Sequence, residues 1–127
     1  MFRLSKSELG NQVTISWYLE NLRDKLVLNS PLNESTYTLA EGQSIIPKII
    51  NACADSLHFS VVEKDKGYFL LDGLKRIRAI HDFIDGKLSY YTMFYDDMTQ
   101  EQKDSFLNVR LNIKVWDDNE DLYVKCQ

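Results

Sequence analysis

The sequence predicts a single α+β domain, a sheet with flanking helices, and three observations carry that prediction. Residues 68–87 run from an apolar strand through a turn into an amphipathic helix. Residues 109–116 alternate apolar and polar side chains. Apolar residues within 17–28 and 46–53 recur at helical spacing. At 127 residues the chain is long enough to bury one core, and 44% hydrophobic with 27% charged residues is an ordinary globular composition.

Residues 1–10 carry no assignable pattern. Gln12, Val13, Thr14 and Ile15 alternate as a strand does, and Ser16 is placed to cap a helix through Trp17, Tyr18, Leu19, Leu22 and Leu26 to about Leu28. Asn29-Ser30-Pro31 ends it, residues 32–35 read as a loop, and Thr36, Tyr37, Thr38 and Leu39 form a candidate edge strand. A second helix is expected from Gln43 or Ser44, because Pro47 lacks a backbone N–H and suits a first turn. Its core face is Ile46, Ile49, Ile50 and Cys53. Residues 57–62 alternate again, and 64–67 supply a turn into the strand Tyr68, Phe69, Leu70 and Leu71, which makes a hairpin.

Asp72 and Gly73 stop that strand. Asp72 is placed to cap the next helix by accepting backbone N–H bonds, and Gly86 supplies the stop. Leu74, Ile77, Ile80 and Ile84 form its apolar face, with Lys75, Arg78, Asp82 and Asp85 between them. Residues 89–95 are dense in aromatics. They fit a strand whose alternate side chains fill the core, or a partner surface anchored by Tyr90, Tyr91 and Tyr95. Thr99 and Gln102 make a capping box for a short helix over 101–108 that offers Phe106 and Leu107 for burial. Val109, Leu111, Ile113 and Val115 then face the core, while Trp116 falls on the other side, available to a partner. Residues 117–121 read as a solvated helix start whose consecutive side chains diverge too far to share a metal, with Leu122, Tyr123 and Val124 as a first turn.

The net charge of −4 is uneven: residues 64–94 hold 6 basic and 4 acidic side chains, against 5 and 7 before them and 4 and 8 after. Lys75 and Arg76 lie beside the backbone N–H groups of a first helical turn, a combination that favours an anion, most readily a phosphate. The plainer alternative is a capped helix with two solvated cations. The acidic total works against long duplex DNA. Cys53 and Cys126 are expected to be reduced, with Cys53 in the core. His58 and His81 have no companion ligands, so no metal site is expected. No apolar run approaches the ~20 residues that cross a bilayer, and Met1-Phe2-Arg3 leads into polar Ser5-Lys6-Ser7-Glu8; no membrane association and a cytoplasmic location are the expectations.

Asp72-Gly73-Leu74-Lys75-Arg76, entered from a strand and continued as a helix to Leu88, resembles the Asp-Gly-Gln-Gln-Arg signature of GmrSD-type restriction endonucleases, members of the ParB/sulfiredoxin superfamily. The similarity runs from Ile45 to Trp116, with the strand over 112–116 and the subsequent Asp-Asn-Glu cluster in family order. It implies one ParB/sulfiredoxin-like domain with a mixed sheet over 1–127. It also implies that Asp72, Gly73 and Arg76, with Lys75 beside them, hold nucleoside triphosphate phosphates; no cofactor is certain from the sequence, and a nucleotide with Mg is the candidate. Leu74 and Lys75 replace both glutamines, no Gln-Arg pair exists to match the family's upstream Tyr-Gln-Arg segment, and the helical and nuclease portions have no counterpart. The function expected is therefore a non-catalytic or weakly catalytic binding module that holds a phosphate of a nucleotide or nucleic-acid end, with Asp72 fixing the turn or a metal-bound water. The alternative is an inhibitor of the phage or mobile-element type that binds a host nucleic-acid-processing or defence protein through Tyr90, Tyr91, Tyr95 and Trp116. A nuclease or NTPase ranks third, because Leu74 has neither donor nor acceptor.

Overall fold

The structure, a computed structural model, describes Leu4 and residues 10–28, 37–52, 57–64 and 67–116. Their order is β1 (Asn11–Thr14), α1 (Ile15–Asn21), β2 (Leu26–Val27), α2 (Leu39–Ile50), β3 (His58–Lys64), β4 (Gly67–Asp72), α3 (Leu74–Ile84), β5 (Ser89–Tyr90), β6 (Met93–Phe94), α4 (Gln100–Leu107) and β7 (Arg110–Trp116), with single 3-10 turns at Arg23–Lys25 and Tyr95–Asp97. The loop expected over 29–35, Cys53, Cys126, and the acidic run 117–121 with the turn after it lie outside the described residues.

Threonines start three of the helices. Thr14 Oγ1 accepts from the Trp17 backbone N–H (3.0 Å) and Thr38 Oγ1 from that of Glu41 (3.2 Å). At α4 the capping box is complete: the Gln102 N–H donates to Thr99 Oγ1 (3.2 Å) and the Thr99 N–H to Gln102 Oε1 (2.9 Å).

The strands form a five-stranded sheet in the order β1-β7-β3-β4-β2. The β1/β7 and β3/β4 pairs are antiparallel and the β7/β3 and β4/β2 pairs parallel, so the sheet is mixed and the fold is α+β. Alternation sorts its side chains. Phe59, Val61, Leu70, Leu111, Ile113 and Val115 face the helices, where they meet Ile15 and Tyr18 of α1, Ile46 and Ile49 of α2, Ile77, Ile80 and Phe83 of α3, and Phe106 of α4. The opposite face carries a smaller cluster of Val62 and Leu71 with Phe69 and Trp116. Between Ser60 and Val61 the β3/β4 register slips, since Asp72 lies opposite Ser60 and Leu70 opposite Val61. Leu71 is thus the extra residue of a bulge one position before the strand ends, a device that bends a strand and re-aims the residues after it. No helix among the described residues is long and apolar enough to cross a membrane.

Four expectations need correction. Thr14, and not Ser16, caps α1, which begins at Ile15 and stops at Asn21; Leu26 instead enters β2 and pairs with Tyr68. No strand forms at Tyr37–Leu39, because Thr38 is the cap of α2 and Leu39 its first residue. Pro47 consequently sits in the helix interior and removes the bond to the Gln43 carbonyl, a loss that the burial of Ile46 and Ile49 on either side offsets. Residues 89–95 are a two-stranded hairpin apart from the main sheet, continued by a 3-10 turn.

Gly42 lies where α2 meets Tyr37 and Leu88. A β-carbon there would fall 2.1 Å from the Tyr37 hydroxyl and 2.8 Å from Leu88 Cδ1. Gly42→Ala gains up to about 1 kcal/mol of helix propensity. It also overpacks the contact and displaces the Tyr37 hydroxyl from Asp82, for roughly 2–4 kcal/mol together. The net expectation is a loss of about 1–3 kcal/mol in urea unfolding; a stabilised Gly42→Ala protein would show that the helix contact is looser than described.

Candidate functional site

The turn from β4 into α3 is made by one residue. Gly73 has φ 106 and ψ 18, a left-handed conformation, and a β-carbon on it would lie 2.4 Å from Cδ1 of the Phe59 ring. Both facts exclude a side chain. Gly73 is the N-cap residue of α3, its carbonyl accepting from the Ile77 N–H at 2.9 Å, and no side chain caps the helix. The cap expected from Asp72 is therefore not formed: the left-handed step at Gly73 carries the Asp72 carboxylate outward, where it is 66% exposed. The N-cap residue of α3 thus offers its first turn no side-chain acceptor, the arrangement that gives a helix start its anion preference.

Arg76 returns to the turn from one helical turn along. Its Nη2 stands 3.6 Å from Asp72 Oδ2, and its guanidinium lies 5.2 Å from the centre of the Phe59 ring. The ring that excludes a side chain at Gly73 thus also orients the cation. Lys75 goes elsewhere: its Nζ pairs with Glu41 Oε2 of α2 at 2.5 Å, and this contact holds the Glu41 carboxyl below its usual range. Asp72, Gly73 and Arg76 are brought together; Lys75 is drawn toward α2.

The four aromatics do not share a surface. Tyr90 and Tyr91 sit at the β5–β6 turn with ring centres 4.7 Å apart, and Tyr91 is 76% exposed. Tyr95 is half-buried and wedged edge-on against Phe83 and Phe106 at 5.9 and 6.1 Å. Trp116 lies on the far face of the sheet beneath the Lys114 ammonium, 3.9 Å from the ring centre. Phe94 is the exposed aromatic that the sequence did not single out, since its alternation in a strand matched a core position as well as a surface one.

A second polar constellation surrounds the later turns of α3. The hydroxyl of buried Tyr18 and His81 Nε2 share a 2.7 Å hydrogen bond with their rings stacked, Tyr37 donates to Asp82 Oδ2 at 2.9 Å, and Arg23 pairs with Asp85 at 2.8 Å. Burial first, and the nearby Arg23 second, push His81 down to about 4, while burial raises Tyr18 and Tyr37 well above an ordinary phenol. His81 is thus neutral near pH 7. Sequence reasoning missed this cluster, because its members come from three separated stretches, 18–23, 37 and 81–85, and only a lone histidine on α3 marked it. Among the described residues no three histidine, cysteine or carboxylate side chains gather closely enough to hold a metal ion. No family model matches the chain, and no curated protein and no solved structure matches it either.

Neutral His81 sets a pH dependence. Its folded value of about 4 lies below the ordinary 6.5, so between those values the unfolded chain takes up a proton that the folded chain refuses. The contribution is complete above about pH 6.5 and is lost as pH falls toward 4, amounting to at most about 3 kcal/mol at 1.36 kcal/mol per unit. Unfolding measured from pH 7 to pH 4 should fall more steeply for the wild type than for His81→Gln, which bonds without titrating in this range. Superimposable pH curves would remove His81 as the cause.

Proposed function

We propose that the chain is a ParB-like binding module in which the β4–α3 turn holds a phosphate of a nucleotide or nucleic-acid end. The observation that carries this reading is the uncapped start of α3 with the Arg76 guanidinium poised over Phe59 at its mouth. Backbone N–H groups and a planar cation converge there, and phosphate recognition asks for no more. Among Arg76's contacts, the 3.6 Å pair with exposed Asp72 yields readily, because ion pairs open to solvent contribute about 0–1 kcal/mol. A phosphate replaces Asp72 at Arg76, and the released carboxylate, turned toward solvent, suits a Mg ion that arrives on the phosphates, which needs only one or two protein carboxylates. Such an ion would supply charge neutralisation of the bound phosphates. Leu74, buried at the first position of α3, gives no polar group to the bound phosphate, so turnover is weak or absent.

The ParB-like assignment is supported by the passage of the Asp72–Arg76 motif from strand to helix and by the mixed sheet behind it. The two cations separate the possibilities experimentally. In calorimetry with ATP and with inorganic triphosphate, Arg76→Ala should lose roughly 1.5–3 kcal/mol of binding, about 10- to 150-fold, with the melting temperature nearly unchanged. Lys75→Ala should leave binding within about threefold, because Lys75 is engaged by Glu41. No heat from the wild type at millimolar ligand, or equal losses in the two variants, would sink the proposal.

A further inference from the structure

Away from the β4–α3 turn, the β5–β6 hairpin presents an exposed aromatic pair that the phosphate reading leaves without a role. Ser89 pairs with Phe94 and Tyr90 with Met93, so only Tyr91 and Thr92 make the turn. Tyr91 has φ 55, a left-handed conformation that a bulky residue adopts at a cost, and glycine or asparagine is the usual occupant. An aromatic ring stands there against that preference, 76% exposed, and Phe94 on the second strand is 42% exposed. Backbone strain of this kind concentrates at binding positions.

The hairpin is also held in place before any partner arrives. Gln43 of α2 grips the Ser89 backbone on both sides, its amide donating to the Ser89 carbonyl and its Oε1 accepting from the Ser89 N–H (3.3 Å). Ser89 Oγ donates to the Tyr91 carbonyl at 2.7 Å and closes the turn. Directly after Phe94 the chain turns over Tyr95, whose ring is anchored against Phe83 and Phe106. A fixed aromatic loses little conformational freedom on binding, which raises its value as an anchor.

Charge selects the partner. Asp96 and Asp97 come immediately after Phe94 and Tyr95, both exposed, and neither forms an ion pair with another described residue. Lys103 lies over the Tyr95 ring, 5.4 Å from its centre, without pairing to either carboxylate. Exposed aromatics can stack on nucleic-acid bases, but that use is accompanied by cations that track the phosphates. Two free carboxylates beside the aromatic pair repel that backbone and attract lysine and arginine. We propose that the β5–β6 hairpin docks onto a basic protein surface, with Tyr91 and Phe94 entering an apolar recess and Asp96 and Asp97 meeting the cations at its rim.

A random peptide library displayed on cells, selected against the full chain, tests this proposal. Tyr91→Gly removes the ring and suits the left-handed turn, so it should melt no lower than the wild type; Phe94→Ala is the second variant. Selected peptides should combine lysine or arginine with apolar residues. They should bind Tyr91→Gly about 30-fold or more weakly, as a central aromatic anchor implies. Asp96→Asn/Asp97→Asn should weaken binding and flatten its salt dependence. No enrichment above that on the Tyr91→Gly protein overturns the proposal, as do enriched peptides without positive charge. Tyr91-dependent binding of single-stranded DNA would assign the hairpin to nucleic acid instead.

Discussion

The left-handed step at Gly73 is the constraint on which the rest of the structure depends. β4 lies inside the sheet between β3 and β2, and the chain leaves it for α3 across one residue, directly above Phe59. With that step taken, α3 lies back over the sheet and buries Leu74, Ile77, Ala79, Ile80 and Phe83. α2 then packs along α3. A β-carbon at position 73 would meet both a backbone penalty of about 1–2 kcal/mol and the face of an aromatic ring with little room to retreat. The same step turns Asp72 outward and leaves the helix start open, so the geometry that allows the fold also creates the candidate site.

The two ends of α3 solve opposite electrostatic problems. At its start the positive end of the helix dipole attracts negative charge, and the Asp72 carboxylate has been turned outward, beside Arg76. Toward its end come Asp82 and Asp85, acidic side chains where the helix dipole favours cations. Arg23, the Tyr37 hydroxyl and, at 4.0 Å, Lys87 answer them, all from outside the helix. His81 does not contribute a charge, because burial beside Tyr18 and Arg23 keeps it neutral. The chain before α2 is therefore joined to α3 by polar contacts as well as by its apolar core.

Local chemistry was legible in the sequence. The alternation of Leu111, Ile113 and Val115, the β3–β4 hairpin, the apolar face of α3 with its stop at Gly86, and the Thr99–Gln102 box each depend on residues within one element or turn. The failures had distant causes. Leu26 fits the helical spacing of Trp17, Tyr18 and Leu22, yet parallel pairing with Tyr68, 42 positions away, claims it for the sheet. Thr14 and Ser16 are equal capping candidates until the pairing of Val13 with Leu111 places the end of β1. At the site, Asp72, Gly73 and Arg76 were legible because a strand end, a glycine and a first helical turn follow one another within five residues, whereas the capture of Lys75 by Glu41 and of His81 by Tyr18 leaves no trace in either local pattern.

Three consecutive residues of α2 connect these features. Glu41 reaches the start of α3 through Lys75, Gly42 makes room for Tyr37 and Leu88, and Gln43 holds the first strand of the aromatic hairpin by its backbone. The open turn and the hairpin, separated in sequence by α3, thus both touch the first turns of α2, which supply a continuous set of packed contacts between them. That placement gives Lys75 a neighbour of its own at the head of α3, the Glu41 carboxylate of α2, two residues before the glutamine that holds the hairpin. Arg76, one position on, turns instead to the Phe59 ring and the exposed Asp72 carboxylate, so two adjacent cations serve different neighbours.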